Sequence, residues 1–158
     1  MRAVLVSTCL LLWGAALHGQ DSYSQTGHTQ KHDQLTWGPA PAVFPAGAKM
    51  AVVSGDPGKD EMFTIQLSMP DGYRIPPHSH PTDEDVKVLK GTLLVGMGDT
   101  LDLSKANAIK AGGTGKVPAK MHHYAAAKGA TQISVTAMGP FAMTYVNPAD
   151  DPQTTTHP

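Results

Sequence analysis

His78, His80 and Glu84 lie close together between Gly72 and Gly91, and they are the residues of this chain best able to do chemistry. Imidazole nitrogen and carboxylate oxygen are donors that first-row divalent metals accept. On a strand His78 and His80 project from one face, and Glu84 shares their even parity if the chain stays extended past Pro81. Three such donors leave metal positions open for a substrate, and one more imidazole would complete a nitrogen-rich set. His122 or His123 can supply it, after the run from Gly112 to Pro118 that looks like a Gly/Pro turn entering another strand. Adjacent residues of a strand face opposite ways, so only one of the two reaches an interior. The small Ala125 and Ala127 share the face of His123 and leave room there, whereas His122 and Tyr124 face outward or toward an interface.

The first group resembles the first motif of the cupin family, a glycine, His-x-His, a glutamate and a second glycine at fixed spacing, here Gly72, His78, His80, Glu84 and Gly91. The later run is similar to the second cupin motif through Gly112, Pro118 and His123. It departs from that motif at Lys120, where the family has a turn glycine, and at Ala127, where it has asparagine. A left-handed backbone costs a lysine roughly 1 kcal/mol or more, so a reshaped turn is expected around Lys120. The resemblance covers about residues 48–147 and implies an all-β fold, a cupin-type double-stranded β-helix or jelly-roll barrel. It also implies that His78, His80, Glu84 and His123 hold one divalent transition metal per chain (iron, manganese, copper, nickel or zinc), with His122 as the alternative to His123. Glu84 is the candidate catalytic base as well. Asp83 and Asp85 flank it, so a solvated acidic turn is the competing account of that stretch. The implied function is a metal-dependent oxidoreductase of dioxygenase type acting on a small organic or sugar-derived substrate. The alternatives are a non-catalytic metal- or metabolite-binding cupin, or a cupin decarboxylase, isomerase or oxidative polysaccharide-cleaving enzyme. Because imidazole binds metal only when neutral, acid should weaken the site as pH falls through about 6.5.

The elements that must position these groups are strands. Phe63, Ile65, Leu67 and Met69 alternate with polar residues and end at the turn Pro70-Asp71-Gly72, which predicts a strand with one core face. Further strands are expected at 50–53, 75–80, 86–89, 92–97, 122–126, 132–136 and 141–146. Many short strands with Gly and Pro turns indicate a barrel or sandwich. The pattern over 101–111 suggests a turn or two of helix, and the methionines at 62, 69, 97, 121, 138 and 143 read as core filler. His28 and His32 stand four apart in a polar run containing Gly27, where a helix that would bring them together is not expected. Tyr73, Arg74, Tyr124 and Lys120 are the other polar residues considered for a pocket, and each is expected at the surface.

Composition frames the rest. Arg2, the apolar run from Ala3 to Ala16 and the segment to Gly19 have the order of a secretory signal peptide, so the protein is expected to be exported, periplasmic or secreted. The run is too short for a membrane span. Cleavage near Gly19 would remove Cys9, the only cysteine, and leave a formal charge of −2 because Arg2 is the only charged residue lost. No disulfide is then available, and packing and metal must supply stability. Residues 20–36 form a polar leader, 37–47 an extended Pro-rich arm that can strap the barrel or a partner subunit, 48–147 the barrel and 148–158 an irregular tail. Near-neutral charge without basic clusters argues against nucleic acid and membrane surfaces. The expected partners are a small-molecule substrate and, through exposed sheet edges, a second copy in a homodimer.

Overall fold

The computed structural model describes residues 35–154; the candidate signal peptide, most of the polar leader, His28, His32 and the last four residues lie outside them. Nine strands form one curled antiparallel sheet: β1 Gly38–Pro39, β2 Lys49–Ser54, β3 Met62–Met69, β4 Arg74–Ser79, β5 Glu84–Met97, β6 Asn107–Lys110, β7 Thr114–Val117, β8 His123–Met138 and β9 Thr144–Tyr145. The expected all-β jelly-roll architecture is what is observed. A short 3-10 turn at Pro148–Asp150 follows β9.

The long strands β5 and β8 pair along their whole length, from Glu84 opposite Ala137 to Met97 opposite His123. On its other side β8 carries β3 along its second half and β4 along its first. The outer side of β5 carries β7 and then β6. β2 flanks β3, and β9 flanks β4. Four expected strands thus merge into two: 86–89 with 92–97, and 122–126 with 132–136. The merger over 86–97 runs through Gly91, whose φ of +76° places it in the left-handed region, and any Cβ there would lie 2.5 Å from the Ala130 carbonyl oxygen. A glycine punctuates the sequence at that bend while the ladder continues past it.

Alternation places Phe63, Ile65, Leu67 and Met69 of β3, Val86 and Val88 of β5, and Ile133, Val135 and Ala137 of β8 in one buried cluster. The arm joins it. Phe44 is buried and stacks on Phe141 at 5.6 Å, while Tyr73 Oη donates to the Pro45 carbonyl and Tyr145 Oη to that of Val43.

The structure corrects several expectations. No helix forms over 101–111. Asp102 Oδ1 instead accepts from the Ser104 backbone N–H at 3.0 Å, a local bond that competes with helix, and Asn107–Lys110 then pairs with Thr92–Val95. Residues 114–117 form a strand rather than a turn, because the far edge of β5 offers them a partner. Only Thr144–Tyr145 of the expected 141–146 strand is ladder-bonded. Among the methionines Met69 is core and Met143 packs against it, but Met62, Met97, Met121 and Met138 are exposed. Met62 and Met138 are register partners at the end of the β3–β8 ladder, beyond the core. Tyr124, expected to face outward, is 1% exposed. It does lie on the face opposite His123, but its hydroxyl donates to the Asp102 carbonyl at 2.7 Å under the turn that replaced the expected helix. Gly96 makes room for it, since a Cβ there would come within 2.1 Å of the ring. Tyr73 is likewise buried rather than at the surface.

Candidate metal centre

Three strands deliver four polar side chains to the barrel interior. Pro76 and Pro77 have no N–H to donate and hold extended backbone, and His78 follows them in β4 with His80 just past its end. His123 opens β8 directly opposite His78 in the ladder. The chain bends after His80 and β5 starts at Glu84, so Glu84 does not continue the strand of the histidines. It faces inward because β5 puts it on the same side as Val86 and Val88. The expected parity argument therefore does not hold: Glu84 faces inward through β5 and not along the strand of the histidines.

His78, His80, Glu84 and His123 are each 6% exposed or less. The ring of His78 lies 4.2 Å from that of His123 and 4.8 Å from that of His80, with 5.3 Å between His80 and His123. One nitrogen from each ring can be chosen so that all three lie within 4.8 Å of one another. Glu84 Oε2 stands 3.5 Å from His80 Nε2. His122 does not enter the cavity. It is exposed, with Nδ1 2.6 Å from Asp99 Oδ1, so of the two adjacent histidines it is His123 that faces inward. Asp83 and Asp85 form the solvated part of the acidic stretch: Asp83 pairs with Lys116 at 3.1 Å and accepts from the Ala119 N–H, while Asp85 is exposed.

Each inward imidazole is oriented by a backbone carbonyl. His78 Nδ1 meets Pro76 O at 2.6 Å, His80 Nδ1 meets Ala142 O at 2.8 Å and His123 Nδ1 meets Met121 O at 3.0 Å. A carbonyl only accepts, so Nδ1 carries the proton and Nε2 keeps its lone pair in all three rings. Burial drives the same result. It depresses His78 to about 3, helped by the neighbouring His123 and His80, and His80 to about 4 against the opposing pull of the Ala142 carbonyl. Burial lowers His123 as well. His78 and His80 therefore stay neutral well below pH 6.5, and acid competition for those two rings is expected to begin below the ordinary histidine range. Burial pushes the Glu84 carboxyl the other way, up to about 7. Three neutral imidazole donors within reach of one another, one of them 3.5 Å from the Glu84 carboxylate, suit a divalent transition metal.

The turn that brings His123 in keeps the left-handed geometry despite its lysine. Lys120 has φ 63°, and its N–H donates to the His80 carbonyl at 2.8 Å. The expected reshaping does not occur, because that bond ties the turn to the end of β4. The cavity beside the four polar groups has a volume of about 50 Å³, and apolar side chains make up the rest of its wall. Phe44, Phe141 and Met143 are wall residues that sequence reasoning did not assign to the site. Phe44 sits outside any strand, and Phe141 and Met143 lie in the part of the expected 141–146 strand that stays irregular ahead of β9.

No family model matches the chain, and none of the curated proteins is similar to it. Among solved structures the fold is similar to that of a candidate acetylacetone dioxygenase from Methylibium petroleiphilum, with a TM-score of 0.60 and 21% identity over 89% of this chain and 90% of that one. It is also similar to the polyketide cyclase RemF from Streptomyces resistomycificus (TM-score 0.56, 17% identity, 66% and 75% covered). A cupin 2 conserved barrel domain protein from Rhodopseudomonas palustris gives a TM-score of 0.57 at 14% identity, with 74% and 81% covered. At these identities the likeness is one of fold, and the fold is that of the cupins.

Proposed function

We propose that this chain is a metal-dependent cupin enzyme, and that His78, His80, His123 and Glu84 hold one divalent transition metal through the three Nε2 atoms and the Glu84 carboxylate. The observation that carries the reading is the common tautomer: three separate carbonyls fix three Nδ1–H groups and leave three lone pairs beside one carboxylate. A metal with that donor set supplies Lewis acidity and open positions for oxygen donors. The reaction class we favour is oxidation of a small organic molecule, of dioxygenase type. The similarity in fold to a candidate acetylacetone dioxygenase supports that choice. The chain's own part is to hold three neutral donors, to keep water from the centre with an apolar wall, and to place at Glu84 a carboxylate that could accept a substrate proton. Export follows from the first nineteen residues and belongs to the same proposal.

A second reading has its own observation. Among the described residues no titratable group apart from the four candidate ligands lines the cavity, as suits a module that binds without turnover. Elemental analysis of purified protein, followed by oxygen uptake with compounds that shift its melting temperature, separates the two. One metal per chain, lost in His78→Ala/His80→Ala, is the expected result, and stoichiometric metal retained in that variant would sink the site. Binding without oxygen consumption by any metal-loaded form would select the second reading.

A further inference from the structure

The cavity wall limits what can bind beside the metal. Among the described residues every polar side chain facing it belongs to the candidate ligand set, and each histidine Nδ1 is already engaged with a carbonyl. What remains is hydrocarbon: Ile75 of β4, Val95 of β5, Val117 of β7, Ile133 of β8, and the aromatic pair Phe44 and Phe141. Lys116, which follows Gly115 in β7 beside Val117, turns away to Asp83. Among the described residues no lysine or arginine lines the cavity. A polar group placed far from the metal would leave water and find no partner.

We infer that the site takes a small, uncharged molecule with its oxygen donors at one end and a short hydrocarbon body at the other. This rests on the metal reading above and adds the substrate class to it. Four protein donors would leave up to two positions on a six-coordinate ion, and a molecule with two adjacent oxygens could fill both where they are neighbours. The body must be short, because a cavity of about 50 Å³ holds only a few water-sized groups. Sugars, with hydroxyls on every side, do not meet this description. Dicarboxylates and phosphorylated compounds do not either, having charge that nothing in the wall balances. Phe44, held on the arm by its stack with Phe141, sets the length of body the wall admits.

Three small hydroxamic acids with one chelating head test this directly. Acetohydroxamic acid carries a methyl group where glycolohydroxamic acid carries a hydroxymethyl and oxalic monohydroxamic acid a carboxylate. Protein loaded with Zn²⁺, shown by elemental analysis to hold one ion per chain before and after titration, is titrated with each by calorimetry. Acetohydroxamic acid is expected to bind at least tenfold more tightly than glycolohydroxamic acid, because an unpartnered buried hydroxyl costs about that factor, and oxalic monohydroxamic acid more weakly still. Val95→Thr, which puts a hydroxyl on the wall at nearly constant shape, is expected to narrow the gap between the first two severalfold. Equal or reversed affinities, no binding of acetohydroxamic acid, or a gap that Val95→Thr leaves unchanged would overturn the inference while leaving the metal assignment intact. Failure to load Zn²⁺ would instead remove the reading beneath it.

Discussion

A single carbonyl decides the role of each inward imidazole, and this is why two adjacent histidines are not interchangeable. His123 gives its Nδ1–H to Met121 O inside the barrel, whereas His122 faces solvent and Asp99. His123→Ala is therefore expected to weaken metal binding by more than the roughly 10- to 100-fold typical of groups that only support a ligand, and His122→Ala to leave it within a few-fold. Competitive titration with a chromophoric chelator measures both, and the opposite order would move the ligand by one residue. Much of this centre was legible in the sequence. The His-x-His spacing and the residue count from Pro118 pointed to His78, His80 and His123, and the structure brings all three together. Glu84 was legible only through the motif, because the bend after His80 breaks the parity on which a strand argument depends. The apolar wall was not legible, since Phe44 and Phe141 reach it from irregular chain that shows no period.

At the scale of elements, the two motif turns are built against each other. The Lys120 N–H donates to His80 O and the Ala119 N–H to Asp83 Oδ1, so the turn before β8 is bonded to the chain leaving β4. That explains how a lysine is held at φ 63°, where its Cβ crowds the backbone. Lys120→Gly is expected to keep the turn and raise stability by up to about 1 kcal/mol, and Lys120→Val to lower it by more, because a β-branched side chain tolerates the left-handed region least. Urea melts of metal-free protein test the pair; a glycine variant less stable than the parent would mean that the lysine stem contributes more than the strain it carries. Hidden long-range pairing is also what local pattern misses elsewhere. Residues 107–110 and 114–117 became strands because the outer edge of β5 was free to receive them, and Met62, Met97 and Met138 left the core because they end strands that outrun it.

The whole molecule couples these buried groups to pH in two opposite directions. In metal-free protein the folded state holds His78 near 3 and His80 near 4, below the ordinary 6.5, and lowers His123 in the same sense. The unfolded chain therefore binds more protons at those sites, and their stability contribution is present above about 6.5 and lost as pH falls toward the folded values. Glu84 has the reverse sign. With its folded value raised from 4.5 to about 7, its contribution is present below 4.5 and lost as pH rises through 7. Three imidazoles outweigh one carboxyl, so the melting temperature of the metal-free protein should climb from pH 4.5 to about 7 and then level off. Metal affinity should follow a different law, because protons compete only with groups that bind them in the folded state. Below pH 7 Glu84 takes up a proton while His78 and His80 stay neutral down to about 4, so the logarithm of affinity should fall by about one per pH unit where Glu84 alone titrates, and more steeply once the imidazoles protonate. Near pH 7.5, metal at a hundredfold excess over Kd should add about 2.7 kcal/mol of stability that a chelator removes. Isothermal titrations at half-unit intervals give the slope. A value near three between pH 5 and 6.5 would mean the imidazoles are solvated, and a value near zero would take Glu84 out of the ligand set.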